Sequence, residues 1–170
     1  MRTMIISQDP EAIRHAQVLQ TQCELRRVAL HACHASADGR LSEAKPPFAL
    51  RLNHNSVAHA ILEGVLRIEV AFQIQGFDST APPMLLFSID CTFDLDYAIN
   101  NKEYQPTEES ISAFKDGNAV FNCWPYAREL AQSLTTRMEL QPPPLPLLRI
   151  VPGPPREQTV EAEACSTTTQ

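Results

Sequence analysis

The chain has 170 residues, 44% hydrophobic and 20% charged, which is the composition of a globular protein long enough for one core. Lys plus Arg total 14 against 20 Asp plus Glu, a formal charge of −6, so no basic stripe is available for nucleic acid or an anionic membrane surface. Five glycines form neither GxGxxG nor GxxxxGK, which argues against a phosphate-cradling loop and against a bound nucleotide.

Cys23, Cys33, Cys91, Cys123 and Cys165 form no CxxC pair, and an odd count does not suit a disulfide framework. The N-terminus carries no apolar signal segment, and no apolar run approaches the ~18–20 residues of a membrane span. The expectation is a cytoplasmic protein with no membrane insertion, whose cysteines are reduced and mostly buried.

In chain order, Asp9 can cap a short helix over Pro10–Gln20, with Pro10 at its first position. Gln22–His34 reads as a strand with poor alternation. The Asp38-Gly39 turn and Pro46-Pro47 then interrupt before a short strand at Phe48–Asn53. Two clear strands follow. Leu66, Ile68, Val70, Phe72 and Ile74 alternate with Arg67, Glu69, Gln73 and Gln75. Leu85, Phe87, Ile89, Cys91, Phe93, Leu95 and Tyr97 alternate with Ser88, Asp90, Thr92, Asp94 and Asp96. The turn-forming stretch Gly76–Pro83 between them predicts an antiparallel hairpin with one apolar and one polar face.

Pro106 or Thr107 opens a helix with Glu108 and Glu109 in its first turn, and Asp116-Gly117 is expected to end it. A break near Asn118–Asn122 and a second helix from about Cys123 to Met138 follow. There Asn122 acts as the cap, which places Pro125 in the first turn. Half of the 14 prolines lie between Pro142 and Pro155, so that stretch is extended, with Leu145, Leu147 and Leu148 able to lie on a core. The predicted organisation is an N-terminal segment 1–18, a domain over 19–149 and a disordered proline-rich, polar tail over 150–170. The fold class is α+β: an antiparallel four-stranded sheet with one polar face. The other face is covered by a C-terminal helix and the extended Pro/Leu segment.

Trp124-Pro125-Tyr126-Ala127-Arg128-Glu129 resembles the FPYARE segment of the SecB protein-export chaperone family. Asn118–Asn122 before it, Ser133–Arg137 after it and the Leu140–Leu148 exit are similar to their counterparts there, as is Leu62–Val70 to a central strand. The resemblance covers roughly residues 20 to 149. It implies an ATP-independent molecular chaperone without cofactors, assembled as a homotetramer (a dimer of dimers), that binds non-native preproteins in apolar grooves. Such proteins hand their clients to the Sec translocase through a SecA motor. Two departures stand out. No amphipathic helix follows Leu148, and Val28–His34 lacks the acid that export members carry in that strand. Delivery to a SecA-like motor is thus one expectation, and a dedicated chaperone of one client, such as an antitoxin, is the alternative.

The resemblance assigns the client groove to Phe114, Phe121, Trp124, Met138, Leu140, Leu145 and Leu147. It assigns partner docking to the acidic sheet face of Glu69, Asp90, Asp94 and Asp96. Trp124 and Phe121, three apart, are also expected to pack on the sheet as core. Alternate carboxylates at 90, 94 and 96 would suit acid–base chemistry, but an open solvated face leaves carboxylates near their ordinary pKa. A second alternative is a small metal or thiol enzyme built on His31, Cys33 and His34. Simple alternation puts His31 and Cys33 on one face and His34 on the other, too few ligands for structural zinc. No enzyme activity and no metal are expected.

Overall fold

The computed structural model describes residues 3–38, 49–78, 80, 82–140, 143 and 145–154. Strand β1 (Thr3–Gln8) leads into helix α1 (Pro10–Gln22). Asp9 caps α1 by accepting the Glu11 N–H at 2.8 Å, with Pro10 at the first position as the sequence predicts. Four strands follow: β2 (Cys23–Ala37), β3 (Ala49–Ala58), β4 (Val65–Phe77) and β5 (Leu85–Ile99). They form one antiparallel sheet in the order β2-β5-β4-β3.

The period-two pattern sets which side of this sheet is buried. Leu66, Ile68, Val70 and Ile74 of β4 and Ile89 and Leu95 of β5 are fully enclosed. At the start of β5 the register slips beside Gly76 and Phe77, so Leu85 is 40% exposed and Leu86 is buried in its place. The hairpin between β3 and β4 closes at Glu63-Gly64. Both residues have positive φ (52° and 76°), and Leu62 and Val65 exchange backbone hydrogen bonds across them. In the β4–β5 connection, Asp78 gathers the N–H of Met84 at 2.7 Å and the hydroxyl of Thr80 at 2.8 Å. These contacts, the Met84 bond first, hold its carboxyl below the usual range.

The helical layer departs from the expected break. Helix α2 (Glu108–Phe114), capped by Thr107, runs through a π-helical turn at Lys115–Ala119 straight into helix α3 (Val120–Arg137). Gly117 ends nothing. A β-carbon there would sit 2.5–2.8 Å from the Gln8 side chain, so the glycine makes room for β1. Asn122 is correspondingly no cap, and its side-chain amide donates to the Tyr97 hydroxyl at 3.0 Å. Pro125 therefore lies inside a continuous helix. Pro125 and Phe121, whose carbonyl loses its N–H partner, are both on the exposed side, where water can take that place.

Strand β6 (Leu147–Pro152) pairs in parallel with β1, from Thr3 opposite Leu147 to Gln8 opposite Pro152. The N-terminal segment thus contributes a strand as well as a helix, and β6 carries residues 150–152, expected in a disordered tail, into a strand. Met4, Ile6 and Leu148 join the core, and buried Gln8 donates to the Ala113 carbonyl at 2.8 Å. The Gly39–Phe48 segment and the tail from Pro155, with Cys165, lie outside the described residues.

Candidate functional site on the two faces of the sheet

The outer face brings Glu69, Asp90, Asp94 and Asp96 together as predicted, and ties three of them into cross-strand pairs. Asp96 sits between Arg27 of β2 and Arg67 of β4, each Nε 2.7 Å from a different carboxylate oxygen. The hydrogen bond from Arg67, aided by Arg27 and opposed by partial burial, holds the Asp96 carboxyl below its ordinary pKa. Asp94 lies 3.2 Å from His31 Nδ1. Asp90 accepts from Gln73 at 2.9 Å and Ser88 at 3.2 Å. Glu69 is half-buried at the edge of a concavity of about 620 Å³ that His31, His59, Leu62 and Arg67 also line. The result is a polar lattice with its charges partly matched, suited to contact with another protein surface.

The apolar candidates divide in two. Phe114, Trp124, Leu140 and Leu145 are core. Trp124 stacks obliquely on Phe72 with centroids 5.5 Å apart and donates its indole N–H to the Pro146 carbonyl at 2.9 Å. Phe114 meets Tyr97 edge to face at 5.0 Å. Met138 is half-buried, whereas Phe121 and Leu147 are 48% and 41% exposed. The expectation that Phe121 packs with Trp124 on the sheet is corrected: the helix turns Trp124 inward and Phe121 outward.

A further concavity of about 650 Å³ was not among the sequence candidates. It lies between the Glu63-Gly64 turn and the loop before α2, lined by Ile61, Val65, Ile99, Tyr104 and Pro106. Its only sequence signals were turn residues, which mark where the chain reverses but not what the reversal encloses.

The histidine–cysteine cluster is also rearranged. A bulge between Leu30 and Ala32 inserts His31, so Cys33 faces inward opposite Cys91. His31 reaches Asp94 on the outer face, and His34, opposite Asp90, shares that face. The predicted sharing of a face by His31 and Cys33 is thereby reversed. Among the described residues, no group of three or more His, Cys, Asp or Glu side chains converges to hold a metal. Burial pushes the thiols of Cys23 to about 11 and Cys91 to about 12, and raises Cys123 further. No described helix is long and apolar enough to cross a membrane.

A four-stranded antiparallel sheet with a polar outer face, backed by a long C-terminal helix, is the SecB-like chaperone fold. One solved structure with this fold is the SecB-like chaperone Rv1957 of Mycobacterium tuberculosis, in complex with a ChAD peptide from the HigA1 antitoxin. It matches with a TM-score of 0.69 over 81% of this chain and 99% of that one, at 20% sequence identity. The resemblance carried by residues 124–129 is therefore borne out at the level of the fold. A Streptococcus agalactiae protein of unknown function matches with a TM-score of only 0.34, at 11% identity over 71% of this chain and 93% of that one, and carries no argument. No protein-family model matches the sequence, and no curated protein matches it.

Proposed function

We propose that this chain is an ATP-independent chaperone that binds non-native polypeptides through apolar surface and catalyses no reaction on them. The observation that carries the reading is the SecB-like fold, shared with a chaperone solved in complex with a peptide from an antitoxin. Exposed Phe121 and Leu147 with half-buried Met138 offer the client apolar contacts, while Phe114, Trp124, Leu140 and Leu145 belong to the core and not to the client surface. Each contact is weak. Apolar burial contributes about 25 cal/mol per Å², and several subsites along one extended client add up through multivalency.

A second reading has equal support. The neighbour's peptide comes from an antitoxin, which supports one dedicated client for this chain in place of many preproteins. In either case the protein acts in the cytoplasm, as a homotetramer in which edge strand β2 and the long helix are covered. In the export reading, Glu69, Asp90, Asp94 and Asp96 meet a basic surface on a SecA-like motor. The arginines already flanking Asp96 make Glu69, Asp90 and Asp94 the effective charges there.

The test is aggregation of an unrelated unfolded protein, followed by light scattering without nucleotide, alongside capture of bound chains from native cytosol. Suppression together with many captured preproteins supports the general reading. Suppression confined to one captured protein supports the dedicated one. Absence of suppression toward both substrate and captured protein sinks the chaperone reading.

A further inference from the structure

Cys33 and Cys91 are directly opposed on β2 and β5. Opposed residues of an antiparallel pair hold their Cα atoms about 4.5–5.5 Å apart, within the roughly 4.4–6.8 Å that a disulfide spans. Their Cβ atoms, about 4.5–5.5 Å apart in such pairs, must close by about 1 Å. The strand that must move has room to do so. The bulge between Leu30 and Ala32 lies beside Cys33, and residues 30–34 are all exposed. The two thiols are also unequal in access: Cys33 is open to solvent, whereas Cys91 is 2% exposed, and both are free.

We propose that Cys33 and Cys91 form an oxidant-sensitive disulfide site that ties edge strand β2 covalently to β5. The oxidant is a hydroperoxide. The Cys33 thiolate attacks one peroxide oxygen, the O–O bond breaks, and Cys33 becomes a sulfenic acid while the leaving hydroxide takes up a proton as water. The Cys91 sulfur then attacks the Cys33 sulfur. The S–S bond forms, the S–O bond breaks, and the second hydroxide leaves as water with the proton given up by Cys91. Two thiols and one hydrogen peroxide yield one disulfide and two waters, with two electrons passing from sulfur to oxygen. Burial first, and then the charge of Asp90, raise the Cys33 pKa, so the reaction is slow beside that of a dedicated peroxide-reacting cysteine. The site is independent of any chaperone role.

The experiment treats the full chain with hydrogen peroxide, blocks remaining thiols by alkylation, and maps unreduced peptides by mass spectrometry. The expected product is a Cys33–Cys91 linked peptide lighter by two hydrogens, reversible by dithiothreitol. It should come with a melting temperature raised by about 5 °C or more. Cys33→Ser, at an exposed position, should fold as the parent does and lose both the linkage and the shift. Cys33 carried to sulfinic acid with Cys91 still alkylatable would overturn the proposal. So would linkage of Cys33 to a second chain or to Cys165, or both thiols left unreacted.

Discussion

Strands β2 and β5 have 15 residues each and run side by side, yet they live in different environments. Along β5 the inward side chains from Phe87 to Tyr97 are at most 4% exposed. Their partners on β2 are less covered: Leu25, Val28 and Ala35 are half-buried, and Leu30, directly opposite buried Phe93, is 48% exposed. The cause lies above the sheet, because the π turn and α3 pack on β3, β4 and β5. Where a packed layer rests on a strand, a one-residue slip would expose its whole apolar side, so register is held strictly. Along β2 that penalty is small, and two irregularities, at Leu25/Arg27 and Leu30/Ala32, interrupt the pairing.

The cross-strand pair offers the sharpest way to break this contrast. Phe93→Ala should lose about 3–4 kcal/mol in a denaturant melt, as buried aromatic truncations do. A loss below about 1 kcal/mol would mean that β5 is no more confined than its neighbour. Asp96→Asn, which removes the carboxylate joining β2 and β4 across β5, should cost about 1 kcal/mol near neutral pH. The folded-state pKa of Asp96 is depressed, so its contribution is complete above the unfolded value of about 4 and is lost as pH falls through the folded one. The gap between variant and parent melts should therefore close in acid, and a gap that persists there would assign the effect to packing. Leu30→Ala should change stability least, by about 0.5 kcal/mol or less. A larger loss that grows with protein concentration would show that a second copy covers this side of β2.

The same contrast governs what could be read in advance. Alternation from Leu66 to Ile74 and from Phe87 to Tyr97 identified the central hairpin because both stretches have one side under the helices. Asp9 with Pro10, and Thr107 before two glutamates, marked helix starts through local hydrogen bonding. Local chemistry failed where the cause was distant. Asp116-Gly117 looks like a helix stop, but the glycine answers to Gln8, more than a hundred positions away. The β1–β6 pairing was illegible for the same reason, since neither six-residue strand carries any mark of its partner. Of the proposed contact residues, Asp90, Asp94 and Asp96 fell on one face through simple period two. The 3.6-residue period of α3 had to be known to within one position before Trp124 and Phe121 could be told apart.

The pairing of Thr3 with Leu147 has a temporal consequence. A ribosome adds roughly 5–20 residues per second, so the first strand is made roughly seven to thirty seconds before its partner exists. Throughout that interval Met4 and Ile6, which end in the core, have no strand to lie against. The antiparallel hairpin of β4 and β5 can form early from neighbouring sequence, whereas closure of this ribbon must wait until Leu147–Pro152 has been made. A protein whose strand β1 waits for β6 is itself, while being made, a chain with exposed apolar segments.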